Sequence, residues 1–281
     1  MTGNVIPIYY INLAARSDRR DFMESQFARL AIPAERVEAV LPAQIPADIV
    51  ATSRRPDGTF RIGISDIACT LSHFAAWHRA IDSRAAACAV FEDDGVISRD
   101  LPQLIGHLGP SLPDGVDLLK LETFRDPVRL GRDTVTIGGM VAQRLIGTHY
   151  GCCGYIISTK LAEHVIATMP LASRAIDGHL FVRHGDLLAT RRVYQLRPAL
   201  AVQLMHQHLA GTSDLAQSDL APMRKWSSGG RPWMTRWQRL RDNISLAWRE
   251  YRAFGNEVFN ARQPVLFADD EPDPSPVGFS K

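Results

Sequence analysis

The sequence has few cysteines and almost no net charge. Its 281 residues include four cysteines, and the formal charge is +2, from 32 Lys and Arg against 30 Asp and Glu. The cysteines lack the C-x-x-C spacing of a zinc site, and the adjacent residues Cys152 and Cys153 seldom pair with each other. These features argue against a disulfide-stapled domain and favour reduced thiols in the cytosol. A charge so close to zero argues against a nucleic-acid partner.

Long apolar segments are also missing. No uninterrupted apolar run approaches the ~18 residues that span a bilayer. The first twenty residues lack the charged lead, the apolar stretch and the cleavage site of a signal peptide. The sequence therefore predicts a cytoplasmic protein with no membrane-spanning helix. Hydrophobic residues make up 46% of the chain and charged residues 22%, a balance that excludes a wholly disordered or fibrous protein.

The sequence does contain short apolar strands that alternate with amphipathic helices. Strands are predicted at residues 5–13, 37–40, 88–91, 116–121 and 154–158, an irregular hairpin at 134–146, and helices after the turn at 16–18, at 65–84 and at 159–168. Residues 42–64 are predicted to form a loop with at most one helical turn, and Ser65 is predicted to cap the next helix. This order predicts an α/β fold with a mainly parallel sheet.

Three acidic residues, Glu92, Asp93 and Asp94, directly follow a buried strand. They therefore lie where open α/β sheets bind ligands, with Glu92 and Asp94 on one side of the strand and Asp93 on the other. Crowded carboxylates require a cation or hydrogen-bond donors. Hard oxygen ligands of this kind suit Mg²⁺ or Mn²⁺ together with a phosphate. A solvated acidic turn is the alternative interpretation.

Two other elements carry polar residues of interest. Ser72 and His73 lie on the helix predicted at 65–84, although a lone histidine on a helix is more often structural than catalytic. Arg16 and Arg20 lie in the turn after the first strand. A basic turn that opens a helix N-terminus can hold a diphosphate, and a solvated charged turn is an equally good interpretation of that fragment alone.

Four blocks of sequence, taken in order, resemble glycosyltransferase family 25, the lipopolysaccharide-type glycosyltransferases. The blocks are IYYINLAARSDRRDFMESQFARL, SDIACTLSHFAAW, VFEDD and GTHYGCCGYIISTKLAEHV, and the resemblance spans roughly residues 5–205. The family typically shows a strand ending in INL, then GEIGCxLSH, then EDD, then a YiiS motif. Ser65 and Ala68 replace two glycines of this pattern and Gly95 replaces an Ala or Val, which affects the local loop geometry.

The resemblance implies a fold and an activity. The fold is a GT-A-like, Rossmann-type domain at residues 1–210, followed by a C-terminal helical extension at 211–281 with a frayed tail. The implied activity is transfer of galactose or glucose, with inversion, from a UDP-sugar to an oligosaccharide or lipid-linked acceptor. The product would belong to lipopolysaccharide or a related surface glycan.

The resemblance also implies roles for individual residues. Glu92 and Asp94, with His206 as a further ligand, would hold a divalent cation, Mn²⁺ or Mg²⁺. Inversion requires a base for the acceptor hydroxyl, and a carboxylate is the usual type. Asp177 is the first candidate and Asp186 the second, although either could instead cap a helix. The implied donor-binding residues are Asn12, Leu13, Arg16, Arg20, Ser72, His73 and Asp93.

The C-terminal segment differs from the rest of the chain. Residues 224–252 carry eight Lys and Arg against two Asp and Glu, and four of the five tryptophans. From Trp233 onward, apolar residues recur at helical spacing through Trp237, Trp248 and Tyr251, and most arginines lie off this stripe. A basic amphipathic helix with tryptophans at 224–254 predicts peripheral contact with a membrane surface. Packing of the stripe on the catalytic domain or on another subunit is the alternative.

Two other functions are compatible with the acidic motif. A metal-dependent hydrolase of nucleotide sugars or phosphoesters could use the same carboxylates with one cation. Such an enzyme would release free sugar without any oligosaccharide acceptor. A non-catalytic sugar-binding protein on a transferase fold is the third possibility, and the intact EDD motif argues against it.

Overall fold

The structure is a computed structural model that describes residues 5–54, 56, 61–183, 187–206 and 236–270, with the backbone only at 236–240 and 242. The strands are β1 (Ile8–Asn12), β2 (Glu35–Glu38), β3 (Ala87–Glu92), β4 (Gly95–Ile97), β5 (Leu118–Lys120), β6 (Glu122–Thr123), β7 (Val128–Ile137), β8 (Met140–Leu145), β9 (Gly154–Ser158), β10 (Val193–Arg197), β11 (Ala201–Gln203) and β12 (Arg262–Gln263). The helices are α1 (Ser17–Arg29), α2 (Ala47–Ser53), α3 (Ile64–Asp82), α4 (Leu101–Leu108), α5 (Thr159–Thr168), α6 (Ile176–Leu180), α7 (Leu187–Thr190) and α8 (Arg236–Phe254).

A nine-stranded sheet forms the centre of the molecule, in the order β12-β7-β8-β10-β5-β9-β3-β1-β2. The pairs β1–β2, β1–β3 and β5–β10 are parallel, and the other five neighbouring pairs are antiparallel. The α/β class is therefore confirmed, but the prediction of a mainly parallel sheet is wrong. The main reason is that β9 lies between β3 and β5 and runs against both, and apolar runs mark strands without giving their direction.

Alternate residues of the central strands face two separate cores. In β1, Tyr9 and Ile11 face the core covered by α3 and α5, whereas Ile8 and Tyr10 face the core covered by α1 and α4. Both faces of the sheet are thus covered by helices, which is why β1 reads as a continuous apolar run in the sequence. Trp77 of α3 is entirely buried against the first of these faces.

Two local predictions before α3 are wrong. Residues 42–64 contain a 3-10 turn at Pro42–Gln44 and the two-turn helix α2, where a loop was expected. The helix forms because Ile49 and Val50 pack on Ile67 of α3, a tertiary contact that local sequence does not reveal. Helix α3 begins at Ile64 with Gly63 as its N-cap residue and no side-chain cap, so Ser65 lies inside the first turn.

The described part of the C-terminal segment returns to the main sheet. Strand β12 pairs antiparallel with β7, and Phe267 forms a bridge with Ala199. The division into domains at residue 210 stays a prediction, and residues 207–235 and 271–281 lie outside the described residues. Among the helices that the structure describes, none combines the length and the apolar character needed to cross a membrane.

Candidate functional site

The acidic motif lies at the end of β3, beside the end of β1. The two strands are parallel, with Ile11 opposite Glu92. Because the carboxyl ends of parallel strands meet at one edge of a sheet, Asn12 lies next to the three acids. The sequence prediction that these carboxylates gather at a strand end is therefore confirmed.

Asp93 is compensated by two side chains. Its Oδ1 accepts a hydrogen bond from Arg19 Nη1 at 2.8 Å, and its Oδ2 accepts one from Asn12 Nδ2 at 2.8 Å. Asn12 is itself fixed, since its Nδ2 also donates to the Arg16 carbonyl and its Oδ1 accepts from Arg36. Asp93 and Arg19 are both buried. Through these hydrogen bonds, Asp93 holds the start of α1 against the acidic motif.

Asp94 is not compensated in the same way. Its Oδ1 is buried and has no hydrogen-bond partner among the described residues. Burial first, and the negative charge of Glu92 second, raise the pKa of Asp94 to about 7. An ionised Asp94 therefore needs an added positive charge, and oxygen ligands suit Mg²⁺ or Mn²⁺. Glu92 and Asp94 thus fit a divalent cation of this kind.

A cavity of about 230 Å³ opens over the acids. Its walls come from the end of β1, the start of α1, the segment after β2 and the first half of α3. The lining residues are Ile11, Leu13, Arg19, Ala39, Val40, Leu41, Pro42, Ser65, Ala68, Cys69, Ser72, His73, Glu92, Asp93 and Asp94. Leu13, Ser72, His73 and Asp93, four of the residues predicted to bind the donor, are among them.

His73 forms the buried floor of this cavity. Its Nδ1 lies 2.8 Å from the Tyr155 hydroxyl, and its Nε2 lies 3.3 Å from Glu92 Oε1. Trp77 Nε1 donates to the same hydroxyl at 2.9 Å, so the hydroxyl proton goes to His73 Nδ1 and His73 Nε2–H donates to Glu92. Burial lowers the pKa of His73 to about 4, which keeps the ring neutral at pH 7. His73 therefore orients Glu92.

Ser72 and Cys69 flank His73 on α3. Ser72 Oγ accepts from the Val40 N–H and donates to the Ala68 carbonyl, both at 2.8 Å, and so anchors the cavity wall. The ligand atoms of Cys69, His73 and Glu92 all lie within 4.8 Å of one another. This donor set includes neither Asp94 nor His206. The hydrogen-bond assignment above places a proton on His73 Nε2. The closeness of the three side chains is therefore explained by hydrogen bonding, without a metal.

His206 lies in a 3-10 turn at Leu204–His206 that follows β11. The Leu204 N–H donates to the Asp94 carbonyl at 2.8 Å, which ties this turn to the acidic motif. The His206 ring lies 4.5 Å from the ring of Phe124, its Nε2 is buried without a partner among the described residues, and burial lowers its pKa. A role for His206 as a metal ligand stays a prediction.

Asp177 lies in the first turn of α6, whose N-cap residue is Ala175. Its Oδ1 accepts from the Gly178 N–H at 2.6 Å and its Oδ2 from the Gly151 N–H at 3.3 Å. Asp177 is half-buried, and its charge acts on His73, where it opposes the lowering of the pKa. It is therefore close to the cavity floor without lining the cavity. Asp186, the second candidate base, lies outside the described residues.

The two arginines predicted to bind the donor, Arg16 and Arg20, do not line the cavity. Arg16 pairs with Asp18 at 2.8 Å, and Arg20 lies 3.7 Å from Asp21, whereas Arg19 lines the cavity. Helical spacing could have found Arg19, because it shares a buried face of α1 with Met23, Gln26 and Phe27. Donor binding by Arg16 and Arg20 stays a prediction.

Lys120 and Glu122 were also missed. Both side chains are entirely buried, and Lys120 Nζ lies 3.0 Å from Glu122 Oε2. The signal available was a pair of opposite charges, two residues apart, at the end of an apolar strand, because such residues share one face of the chain.

The outer surface of α8 is apolar and exposed. Leu246 and Glu250 are buried, and Glu250 forms an ion pair with Arg183. Ile244 and Trp248 are exposed, at 50% and 61%, as is Tyr251, whose ring packs edge-on against Trp248 at 6.3 Å. Most of the described stripe is therefore exposed, whereas Phe254 at its end packs against the core of the domain. Trp226 and Trp233 lie outside the described residues, as does the side chain of Trp237.

A family model and several named relatives match this chain. A family model described as glycosyltransferase family 25 (LPS biosynthesis protein) matches residues 5–178, more than half of the chain. The chain is 28% identical over 212 residues to the lacto-N-neotetraose biosynthesis glycosyltransferase LgtB of Neisseria gonorrhoeae, covering 70% of this chain and 74% of that protein.

Two other relatives extend the range of names. The lipooligosaccharide biosynthesis protein lex-1 of Haemophilus influenzae is 28% identical over 201 residues, covering 65% of each chain. A mouse protein named inactive glycosyltransferase 25 family member 3 is 24% identical over 178 residues, covering 58% of this chain and 29% of that protein.

Proposed function

The chain belongs to glycosyltransferase family 25, and on that premise we propose that it transfers a hexose from a UDP-sugar to an oligosaccharide or lipid-linked acceptor. Galactose and glucose are the sugars we favour, and lipopolysaccharide or a related surface glycan is the product class. The relatives named for lacto-N-neotetraose and lipooligosaccharide biosynthesis support this choice. The observation that carries the proposal is the buried Asp94 carboxyl beside Glu92 at the cavity, whose Oδ1 has no hydrogen-bond partner among the described residues.

The donor diphosphate is proposed to bind at the acidic end of β3. A divalent cation bound by Glu92 and Asp94, Mn²⁺ or Mg²⁺, would neutralise the diphosphate and assist its departure. Arg19 and Asn12 hold Asp93, and His73 holds Glu92, so the carboxylates are fixed before the donor arrives. The cavity of about 230 Å³ is smaller than the ~300–1,000 Å³ of common ligand pockets, so part of a nucleotide sugar would extend beyond it.

Asp177 is proposed as the base for the acceptor. Its carboxylate would take the proton of an acceptor hydroxyl as that oxygen attacks the anomeric carbon. The bond from the anomeric carbon to the diphosphate oxygen breaks at the same time, UDP leaves, and the configuration at the anomeric carbon inverts. Two N–H groups, those of Gly178 and Gly151, hold the Asp177 carboxylate in place.

We also propose that α8 contacts a membrane surface peripherally, in the cytoplasm. Ile244, Trp248 and Tyr251 form an exposed apolar face on a helix that also carries exposed arginines, Arg249 and Arg252. Aromatic residues beside basic ones suit the interface of an anionic membrane. All four cysteines are free thiols, as expected in a reducing compartment. A lipid-linked acceptor would make residence at that surface useful.

The non-catalytic alternative has one observation in its favour, the relative from mouse that is named inactive. Against it, this chain retains the acids together with the residues that orient them. The hydrolase alternative uses the same acids and differs in needing no acceptor.

A donor panel separates these functions. Melting temperatures are measured with UDP-, GDP- and CMP-sugars, each with and without Mn²⁺, because a ligand that binds the native state raises the melting temperature. We expect stabilisation by a UDP-hexose with Mn²⁺, and sugar release that depends on an oligosaccharide acceptor. Release of free sugar at full rate without acceptor would indicate a hydrolase, and binding without turnover would indicate the non-catalytic protein.

A further inference from the structure

Lys120 and Glu122 form an ion pair deep inside the protein. Both side chains have zero exposure, and Lys120 Nζ lies 3.0 Å from Glu122 Oε2. Removing two charges from water carries a desolvation cost that their mutual attraction often fails to exceed. The pair therefore calls for an explanation other than stability.

The hydrogen bonds of the pair converge on one segment, residues 150–153. Lys120 Nζ donates to the carbonyls of Tyr150 and Gly151, at 3.0 and 2.6 Å, and these two bonds with the one to Glu122 use all three ammonium protons. Glu122 Oε2 accepts from the Cys153 N–H at 3.0 Å. The ammonium also lies 4.2 Å from the centre of the Phe181 ring.

The same segment contacts two of the candidate acids, Asp177 and Glu92. The Gly151 N–H donates to Asp177 Oδ2 at 3.3 Å, and the Cys153 carbonyl accepts from the Glu92 N–H at 3.0 Å. The backbone of residues 150–153 thus connects Asp177 with Glu92, and Lys120 and Glu122 hold this backbone by hydrogen bonds.

Gly151 shows how closely this segment is held. Its φ is +88°, a conformation that favours glycine, and a Cβ atom there would lie 2.4 Å from Glu122 Oε1. No side chain larger than hydrogen fits unless both Glu122 and Phe124 move.

We propose that Lys120 and Glu122 are positioning residues, which fix the segment 150–153 and through it set Asp177 relative to Glu92. The inference rests on the proposed function for the roles of these two acids. Neither Lys120 nor Glu122 lines the cavity, so neither touches the substrate. Their effect passes through the backbone of the segment.

The test replaces the pair as a whole. The double variant Lys120→Met/Glu122→Leu removes both charges together, and its melting temperature is expected to fall, because the Tyr150 and Gly151 carbonyls and the Cys153 N–H lose their partners. Positioning predicts that kcat falls at least about tenfold in this variant while KM for the donor changes little. Amide hydrogen exchange at residues 150–153 is expected to accelerate. A double variant with the wild-type melting temperature, kcat and exchange rates would overturn the proposal.

A second variant decides the matter should the double variant fail to fold. Gly151→Ala displaces the segment from Glu122 and Phe124, and Gly139→Ala is its control, because Gly139 has a φ of +87° and nothing within 4 Å of an added Cβ. We expect both to melt lower, and only Gly151→Ala to lose kcat. Equal kcat in the two variants would contradict positioning. A wild-type protein without transferase activity would refute the proposed function instead. Hydrogen exchange at residues 150–153 would then test by itself whether Lys120 and Glu122 fix this segment.

Discussion

The strand-end cavity and the outer face of α8 depart from ordinary burial in opposite ways. Around the cavity, charged groups are buried: Asp93 with Arg19, and Lys120 with Glu122. On α8, large apolar side chains are exposed, with Trp248 at 61%. Buried polar groups and exposed apolar patches are the informative exceptions in a protein. The first kind fixes side chains in place for chemistry, and the second leaves a surface available to a partner.

The cavity and α8 also differ in the external partner that each requires. Around the cavity, most buried charges find partners among the described residues, whereas Asp94 Oδ1 and Glu122 Oε1 have no hydrogen-bond partner there, and a cation would satisfy Asp94. On α8, the partner of the whole face would be external. Substitutions in the first region should therefore change chemistry or folding, whereas substitutions in the second should change location only.

The largest expected effect is on turnover. Asp177→Asn keeps the shape of the side chain but removes the base, so we expect the transfer rate to fall by ~10²–10⁴, while UDP-sugar binding stays near the wild-type value. Initial rates and donor titration measure the two quantities. Full activity in this variant, combined with loss of activity in Asp186→Asn, would move the role to Asp186. Activity in both variants would exclude both residues.

The next effect is on stability. Arg19→Met leaves the buried Asp93 without its cation, and removing one partner of a buried pair costs about 3–5 kcal/mol of unfolding free energy. Arg20→Met is the matched control on the same helix. We expect its free energy of unfolding to stay within about 0.5 kcal/mol of the wild-type value, because Arg20 is partly exposed and its ion pair with Asp21 is long, at 3.7 Å. Urea denaturation measures both. Equal losses in the two variants would refute the special role of Arg19.

On α8, the expected effect is on membrane binding. Vesicles with anionic lipid should sediment with the protein, and salt should weaken this binding without abolishing it, because the aromatic contribution is not screened. Trp248→Ala/Tyr251→Ala should remove the salt-resistant part and leave the melting temperature unchanged. Val141→Ala, an exposed apolar residue on β8, is the control. Absence of vesicle binding at every salt concentration would contradict the proposal.

The smallest effect concerns pH. Burial raises the pKa of Glu122 to about 7, against the lowering effect of Lys120 and with a further raising effect of Glu92. The folded protein therefore keeps a proton that the unfolded chain loses near pH 4.5, so this group contributes stability at low pH that is lost as the pH rises through 7. Burial lowers the pKa of His73 to about 4, so the contribution of His73 to stability instead rises with pH between 4 and 6.5.

A difference experiment isolates Glu122 from the histidines. Glu122→Gln retains an oxygen for Lys120 and Cys153 but does not titrate. The stability of the wild type minus that of this variant should decrease from pH 5 to pH 7.5, as followed by urea denaturation. A difference that is constant or that rises with pH would contradict the raised pKa.

Sequence reasoning located elements better than it located partners. Strand β9 and helix α5 lie at the residues predicted, because GYIIS has an aromatic and β-branched centre and Ser158 caps the helix by accepting from the Leu161 N–H. The direction of β9 was not predictable, since apolar patterning carries no information on it. The acids at the end of β3 were found because three charges interrupt an apolar run.

The residues that hold those acids were harder to predict. Asn12 and Asp93 are 81 positions apart and Trp77 and Tyr155 are 78 apart, and such contacts depend on the packed sheet. Arg19 was within reach of helical spacing, and Lys120 and Glu122 were within reach of strand alternation. The exposed face of α8 was visible in the sequence as a stripe, but which side of the helix packs on the domain was not.

Metal-dependent binding of the donor tests the central claim most directly. UDP-galactose and UDP-glucose are titrated calorimetrically into the wild type and into Asp94→Asn, each with Mn²⁺ and with excess chelator. The account predicts that one of the two sugars binds the wild type with Mn²⁺, and that chelator or the Asn substitution weakens this binding at least about tenfold. Equal affinity under all four conditions would contradict a metal-assisted diphosphate site at the end of β3.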